Sequence, residues 1–247
     1  MTATLTPARL VLTALFLTLD DLEPETVLAH AGLEPARADH LDGLFTADEV
    51  RAIIASTLAL TGDPALGLHL GQEIGVEMLD LVGMLVSSAP DLRAVVGMVT
   101  RYSPLLSTLV RVELLEEGDQ ARIVLHQSPA LLALDSPYVA EVCGAATLCI
   151  LHRLVEGDIR LRRVCCRHPA PSWVAEYHEV LGHETTFCFM AGEDSITFDR
   201  ALLDLPMRRH APGLFRRLRE QAAARLAALP QPESATASVR RLVGEQI

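Results

Sequence analysis

The chain has 247 residues, half of them hydrophobic, and a formal net charge of −11 in which all 21 basic residues are arginine. A length of this order buries a sizeable core in one large domain, or in one domain with an appendage. So acidic a balance argues against the chain itself gripping nucleic acid, because phosphate contacts need a basic face. Five cysteines, an odd number without framework spacing, read as reduced thiols. Arg9 and the run LVLTALFLTL imitate a signal peptide, but Asp20, Asp21 and Glu23 follow at once and no small-residue cleavage site is present. No stretch approaches the roughly 20 apolar residues that span a bilayer. The expectation is a soluble, cytoplasmic protein.

Residues 7–19 are thickly apolar and predict a buried helix. A second short helix is expected from Glu25 to Ala31, stopped by Gly32. Thr46-Ala47-Asp48-Glu49 is a capping box, with Thr46 as N-cap and Glu49 three residues on, and Val50, Ile53, Ile54, Thr57 and Leu58 then recur at helical spacing. Pro90 or Asp91 opens a further helix whose Leu92, Val95, Val96, Val99 and Tyr102 fall on one stripe. Val110, Val112 and Leu114 alternate with charged residues, Glu117-Gly118-Asp119 turns, and Ala121, Ile123 and Leu125 alternate back, which predicts a β-hairpin with one buried face. Ser136 and Pro137 then start a long helix through Val139, Val142, Cys143, Ala146, Cys149, Ile150 and Leu154, ending by Gly157. Its apolar face places it centrally in the packing.

From Asp158 the grammar changes. Ile159 and Leu161 alternate with arginines, the phase breaks at Arg163, and Val164-Cys165-Cys166 follows, so a strand with a bulge is expected. Ser172 as N-cap, Glu176 in the first turn and Gly182 at the end predict a short helix. Phe187 with Phe189 and Ile196 with Phe198, separated by Gly192-Glu193-Asp194, then read as two strands of a hairpin. The fold class expected is α+β, with an antiparallel sheet of about five strands packed on helices.

Beyond Met207 the charge reverses: residues 1–206 hold 13 arginines against 29 acids, whereas residues 207–247 hold 8 against 3. Leu214, Leu218, Ala222, Leu226 and Leu229 make a long amphipathic helix from about Arg208 to Leu229, and its leucine stripe nominates Leu214, Leu218 and Leu226 as dimer contacts. Pro230 ends it, and residues 230–247 read as a linker leading into a further helical pattern.

The order His168-Pro169-Ala170-Pro171, a helix with Tyr177 and Leu181-Gly182, then TFCF and ITFDRALLDLPM, resembles the ligand-sensing N-terminal domain of a large branch of AraC-type transcription regulators, often labelled an arabinose-binding domain. Upstream, Pro64, Gly67-Leu68, Gly83-Met84-Leu85, Leu92-Arg93-Ala94 and Arg101-Tyr102 fit the same pattern. The resemblance covers residues 9 to 247. It implies an effector-sensing domain over 1–206, a dimerisation and connector helix over 207–229, and over 230–247 the start of a segment that in the family leads to a helix-turn-helix domain of about a hundred residues. DNA is then read through that C-terminal domain, which these residues lack, and the effector domain forms a homodimer.

Candidate chemistry is sparse. Cys165, Cys166, His168, His178 and His183 include metal-ligating types, but adjacent cysteines on a strand point to opposite faces and cannot close a tetrahedral site together; no metal and no cofactor is expected. Motifs for nucleophilic catalysis or phosphate binding are missing, so the chain is not expected to be an enzyme. Two rivals stay open: a haem or cofactor sensor using His126 or His152, and a small-molecule enzyme using cysteine or histidine. Tyr102, His126, Tyr138 and Tyr177 are polar-tipped residues at or beside apolar faces, and as a group they are the candidate lining of a mostly apolar pocket. The apolar segments carry no cluster of convergent charge, so the expected effector is a largely apolar metabolite, a fatty acyl chain or an aromatic acid whose carboxylate meets one Arg or Tyr.

Overall fold

The computed structural model describes residues 5–8, 11–13, 15 and 22–229. Of the buried helix expected over 7–19, residues 9, 10, 14 and 16–19 lie outside the described residues, as do 230–247. Pro7 itself closes a short strand, β1 (Leu5–Pro7), which pairs antiparallel with β2 (Leu44–Thr46). Ala8, Leu12 and Leu15 are buried.

Helix α1 (Pro24–His30) is stopped by Gly32 at φ +74°. Helix α2 (Ala47–Thr61) opens on the capping box: the Glu49 amide donates to Thr46 Oγ1 at 3.3 Å and the Thr46 amide donates to Glu49 Oε2 at 2.7 Å. Helices α3 (Leu66–Glu73) and α4 (Asp80–Ser87) follow, then α5 (Leu92–Tyr102), whose first turn is capped by the Asp91 carboxylate accepting from the Ala94 amide at 2.8 Å. On α5 the expected stripe faces inward, with Leu92, Val95, Val96 and Tyr102 all buried.

The expected hairpin forms from β3 (Val110–Glu117) and β4 (Gln120–Gln127), with Glu117 opposite Gln120 and Gly118 at φ +61° in the turn. Helix α6 (Tyr138–Leu154) starts beneath Pro137, and the Ser136 hydroxyl accepts from the Tyr138 amide. This helix joins two hydrophobic clusters. Ala145, Leu148, Leu151 and Leu154 pack with the sheet, α4 and α5, whereas Tyr138, Val139 and Ala146 pack with the N-terminal elements. Its approach to α3 is close because α3 presents glycine: a Cβ on Gly71 would lie 2.5 Å from the Ala145 Cβ and 2.8 Å from the Val142 carbonyl.

The sheet runs β3-β4-β7-β5-β6, with β5 (Leu161–Cys165), β6 (Thr186–Cys188) and β7 (Asp194–Asp199). Five strands were expected, but the sheet is mixed rather than antiparallel, since β5 and β6 run parallel through helix α7 (Val174–Leu181). The hairpin expected of residues 187–198 is accordingly absent: β5 lies between β6 and β7. The reason is visible in the connection. Instead of closing a turn, it bonds to the end of β5, with the Met190 amide donating to the His168 carbonyl and the Ala191 amide to the Cys166 carbonyl. The break in phase at Arg163 is a genuine bulge, because the β5–β7 register shifts between Leu161 opposite Phe198 and Arg163 opposite Thr197.

Helix α7 begins after Trp173, one residue later than a Ser172 cap would place it, and Trp173 makes no side-chain cap. Helix α8 (Pro212–Ala228) starts later than Arg208, since Met207 and Arg208 are still bonded to the segment around Val155. It packs across α4 and α5, burying Leu218 and Ala222.

Candidate ligand-binding cavity

Between the two hydrophobic clusters lies a cavity of about 370 Å³. The volume falls in the range of small-molecule sites, roughly 300–1,000 Å³. Its wall is built from α2 (Val50, Ile53, Ile54), α5 (Val95, Val96, Val99), α6 and the inner face of the sheet (Ile123, Val164, Ile196), so aliphatic side chains dominate it. The β-branched residues on the wall follow from the periodicities that made these elements: one stripe of each helix and one face of each strand point inward.

The structure distributes the four candidate pocket residues unevenly. Tyr138 and Tyr177 lie on the cavity wall. Tyr102 is fully buried elsewhere, against α8, where its hydroxyl donates to the Arg219 carbonyl at 3.4 Å. His126 is half-exposed and meets Glu113 across the β3–β4 hairpin at 2.8 Å. His152, the other histidine of the haem reading, bonds from Nε2 to the Ile159 carbonyl at 2.9 Å, and neither histidine belongs to the wall.

The polar end of the wall is centred on a residue the sequence reading passed over. Glu141, one turn along α6 from Tyr138, is 2% exposed. Its Oε1 accepts from the indole of Trp173 at 2.9 Å and from the hydroxyl of Tyr177 at 2.8 Å. Its Oε2 has no hydrogen-bond partner among the described residues. Gly67 of α3 makes room for this carboxyl, since a Cβ there would lie 2.6 Å from Oε2. Burial pushes the Glu141 carboxyl above its ordinary value, against the lowering effect of the two donors. Burial, together with Glu141, likewise raises the Tyr177 phenol, which stays protonated and donates. The hydroxyl also lies 3.2 Å from His168 Nε2, and Phe187 and Phe189 pack their ring edges around Tyr177 at 5.6 Å. Asp194 is the second acid on the wall, and it is fully engaged: Oδ1 accepts from the Arg167 amide at 2.9 Å and Oδ2 from Gln127 at 3.0 Å.

The signal for Glu141 was present in the sequence. It is the single charged residue between Tyr138 and Ile150, in a helix whose other residues there are apolar or small, and a lone charge inside a buried run demands partners.

The thiols of the wall are held protonated. Desolvation pushes Cys143 and Cys166 up to about 12 and raises Cys165, which makes them poor nucleophiles. Of the metal-ligating types, His178 stacks edge-on against Phe187 at 4.7 Å and His183 faces Glu179 at 3.5 Å. Among the described residues no group of three or more His, Cys, Asp or Glu side chains converges on one point. No single described helix is long and apolar enough to cross a membrane.

Comparison with known proteins agrees with this architecture. Residues 22–207 match the family described as the arabinose-binding domain of AraC transcription regulators, N-terminal. The chain is 28% identical over 213 residues to the ornithine utilization regulator of Pseudomonas aeruginosa, a match that covers 86% of this chain and 62% of that protein. It is 30% identical over 103 residues to an uncharacterized HTH-type transcriptional regulator of Mycobacterium tuberculosis, covering 41% of this chain and 30% of that one. The chain therefore spans about three fifths of the length of the ornithine utilization regulator. The crystal structure of the transcriptional regulator CdpR from Pseudomonas aeruginosa superposes with a TM-score of 0.52 at 17% identity, over 85% of this chain and 70% of that chain, which is a likeness of fold. With three quarters of its length matched to that one domain, the chain belongs to the AraC family of transcription regulators, as their arabinose-binding-type N-terminal domain.

Proposed function

We propose that this domain senses a small, largely apolar metabolite held in the cavity, with Tyr138 and Tyr177 among its contacts, and passes the occupied state to a C-terminal helix-turn-helix domain of the regulator. The observation that carries the reading is the wall itself, a cavity of about 370 Å³ lined by aliphatic side chains drawn from both halves of the core. An apolar body gains from leaving water there, at roughly 25 cal/mol per Å² buried, whereas a sugar or a free amino acid needs a buried partner for each polar group it strips of water. The name of one relative ties that protein to ornithine utilization. For this chain, the aliphatic wall favours a different ligand chemistry.

A route for the signal is built into the same helices. Val86 of α4 and Val95, Val96 and Val99 of α5 face the cavity, and α8 lies across α4 and α5, with Arg225 paired to Asp80 at 3.1 Å. Filling the cavity shifts helices that α8 rests on, and packed helices move as units rather than deforming continuously. Residues 207–229 then act as the connector.

The test is native mass spectrometry of freshly purified protein, followed by thermal melts with the compounds it retains. A retained apolar metabolite that raises the melting temperature progressively, with the logarithm of its concentration above the dissociation constant, is the expected result. If polyols and free amino acids stabilise the protein and apolar compounds do not, the reading fails.

A further inference from the structure

The charges on the cavity wall are all of one sign. Glu141 and Asp194 are both there, and among the described residues the wall holds no arginine, lysine or histidine. The carboxylate of a fatty or aromatic acid, expected from the sequence to meet one Arg or Tyr, would arrive beside two buried acids and find no arginine or histidine among the described residues of the wall, His168 lying behind Tyr177 at 3.2 Å from its hydroxyl. An anion stripped of water without a counter-charge pays a heavy solvation penalty, and like charges within a few ångströms in a low-dielectric site repel strongly.

Three wall residues hold buried side-chain oxygens without a hydrogen-bond partner among the described residues: the hydroxyls of Ser103 and Ser195, and Oε2 of Glu141. Asp194 has both oxygens engaged by protein donors. Glu141 has two donors on one oxygen and none on the other, although it is 2% exposed. Buried polar atoms without partners are uncommon in folded proteins and call for an explanation. Of the three, only the Glu141 oxygen belongs to an acid, on a wall residue fixed by Trp173 and Tyr177 and accommodated by Gly67.

We propose that the cavity selects against anions and takes an apolar molecule ending in a hydrogen-bond donor, an amine or a hydroxyl, with Glu141 as the partner of that end. The proposal rests on the cavity being the ligand site and names the class of head group it accepts. Tyr177 and Trp173 are positioning residues: by holding Oε1 they fix the carboxyl, whose other oxygen has no protein donor among the described residues. An ammonium head meets Glu141 as a carboxylate, a charge-assisted contact that a neutral hydroxyl makes more weakly.

The experiment compares three ligands with one chain length, decylamine, decanol and decanoate, each below its micelle concentration, by competition against a fluorescent apolar probe at neutral pH. The amine and the alcohol are expected to displace the probe at least about tenfold more tightly than the carboxylate. Decanoate binding as well as the other two would overturn the head-group assignment while leaving the cavity reading intact. Failure of all three to displace the probe would overturn the cavity reading and this proposal with it. The wild-type comparison needs no variant, but Glu141→Gln adds a second readout. It keeps an acceptor for Trp173 and Tyr177 and removes the charge, so the advantage of amine over alcohol is expected to vanish while alcohol binding changes by less than about threefold. An unchanged advantage for the amine in a folded Glu141→Gln protein would rule out Glu141 as its partner.

Discussion

A carboxyl buried as Glu141 is couples stability to pH in a definite direction. Desolvation raises its folded-state value above the ordinary 4.5. As pH climbs past that point the unfolded carboxyl releases its proton while the folded one still holds it, so each step favours the unfolded state until the folded group ionises as well. Glu49 works oppositely: the hydrogen bond from Arg37 at 2.6 Å lowers its value, and its contribution is present above 4.5 and fades as the solution is acidified. Glu141→Gln, which imitates the protonated form, is therefore expected to gain on the wild type as pH rises from 4.5 towards 8. Urea denaturation at three pH values reads the difference directly, and a gap that stays constant with pH would contradict a raised Glu141. Glycine supplies a second contrast at this scale. In Gly71→Ala the new methyl meets the Ala145 Cβ at 2.5 Å and the Val142 carbonyl at 2.8 Å, with backbone on the other side that cannot swing away. Overpacking of that kind costs about 1–3 kcal/mol. Gly97→Ala on α5 meets nothing within 4 Å, so the helix preference for alanine is expected to stabilise it by about 0.5–1 kcal/mol. Opposite shifts in the two urea midpoints are the expected pair.

At the scale of elements, the start of α2 is the clearest local device. Two orphan amides of its first turn are satisfied reciprocally by Thr46 and Glu49, and Thr46→Ala is expected to cost about 1 kcal/mol in the same denaturation measurement. This element was fully legible in the sequence because a capping box is written in four consecutive residues. So were the stripe of α5, the β3–β4 hairpin and the bulge in β5, each encoded by spacing within a dozen residues. The order of the sheet was not. Whether residues 186–199 fold as a hairpin or straddle β5 depends on where β5 lies in space, and alternation of Phe187, Phe189, Ile196 and Phe198 is the same for both arrangements. The edge of the cavity had the same limit. Tyr138 and Tyr177 were named from their apolar neighbours, but that Tyr177 of α7 and Trp173 just before it converge on Glu141 of α6 depends on packing between segments more than thirty residues apart in the chain. His126 shows the converse: alternation on β4 told which residues share its face, but not that this one would lie in reach of Glu113 and away from the cavity.

For the whole molecule, the open question is which surface a second copy would use. The leucine stripe of α8 nominated Leu214, Leu218 and Leu226 together, and the fold separates them. Leu218 is 7% exposed and packs into its own core, Leu226 is half-buried against the same core, and Leu214 is 51% exposed. A helix that satisfies one apolar face on its own domain and still presents a leucine outward has spare apolar surface, and α4 beside it exposes Met84 at 53%. Isologous pairing buries such a patch against itself, and two-fold dimers are the commonest assembly of soluble proteins. We therefore expect a homodimer at micromolar concentration whose contact includes Leu214. The two leucines then separate assembly from folding. Leu214→Glu should raise the dimer dissociation constant at least about tenfold while leaving the melting temperature of the monomer unchanged. Leu218→Glu buries a carboxylate in the core and should lower that melting temperature whatever the protein concentration. Light scattering over a concentration series, run beside thermal melts of each variant, distinguishes them. A monomeric mass for the wild type at the highest concentration would remove the dimer, and an intact dimer in Leu214→Glu would move the interface to another face of the domain.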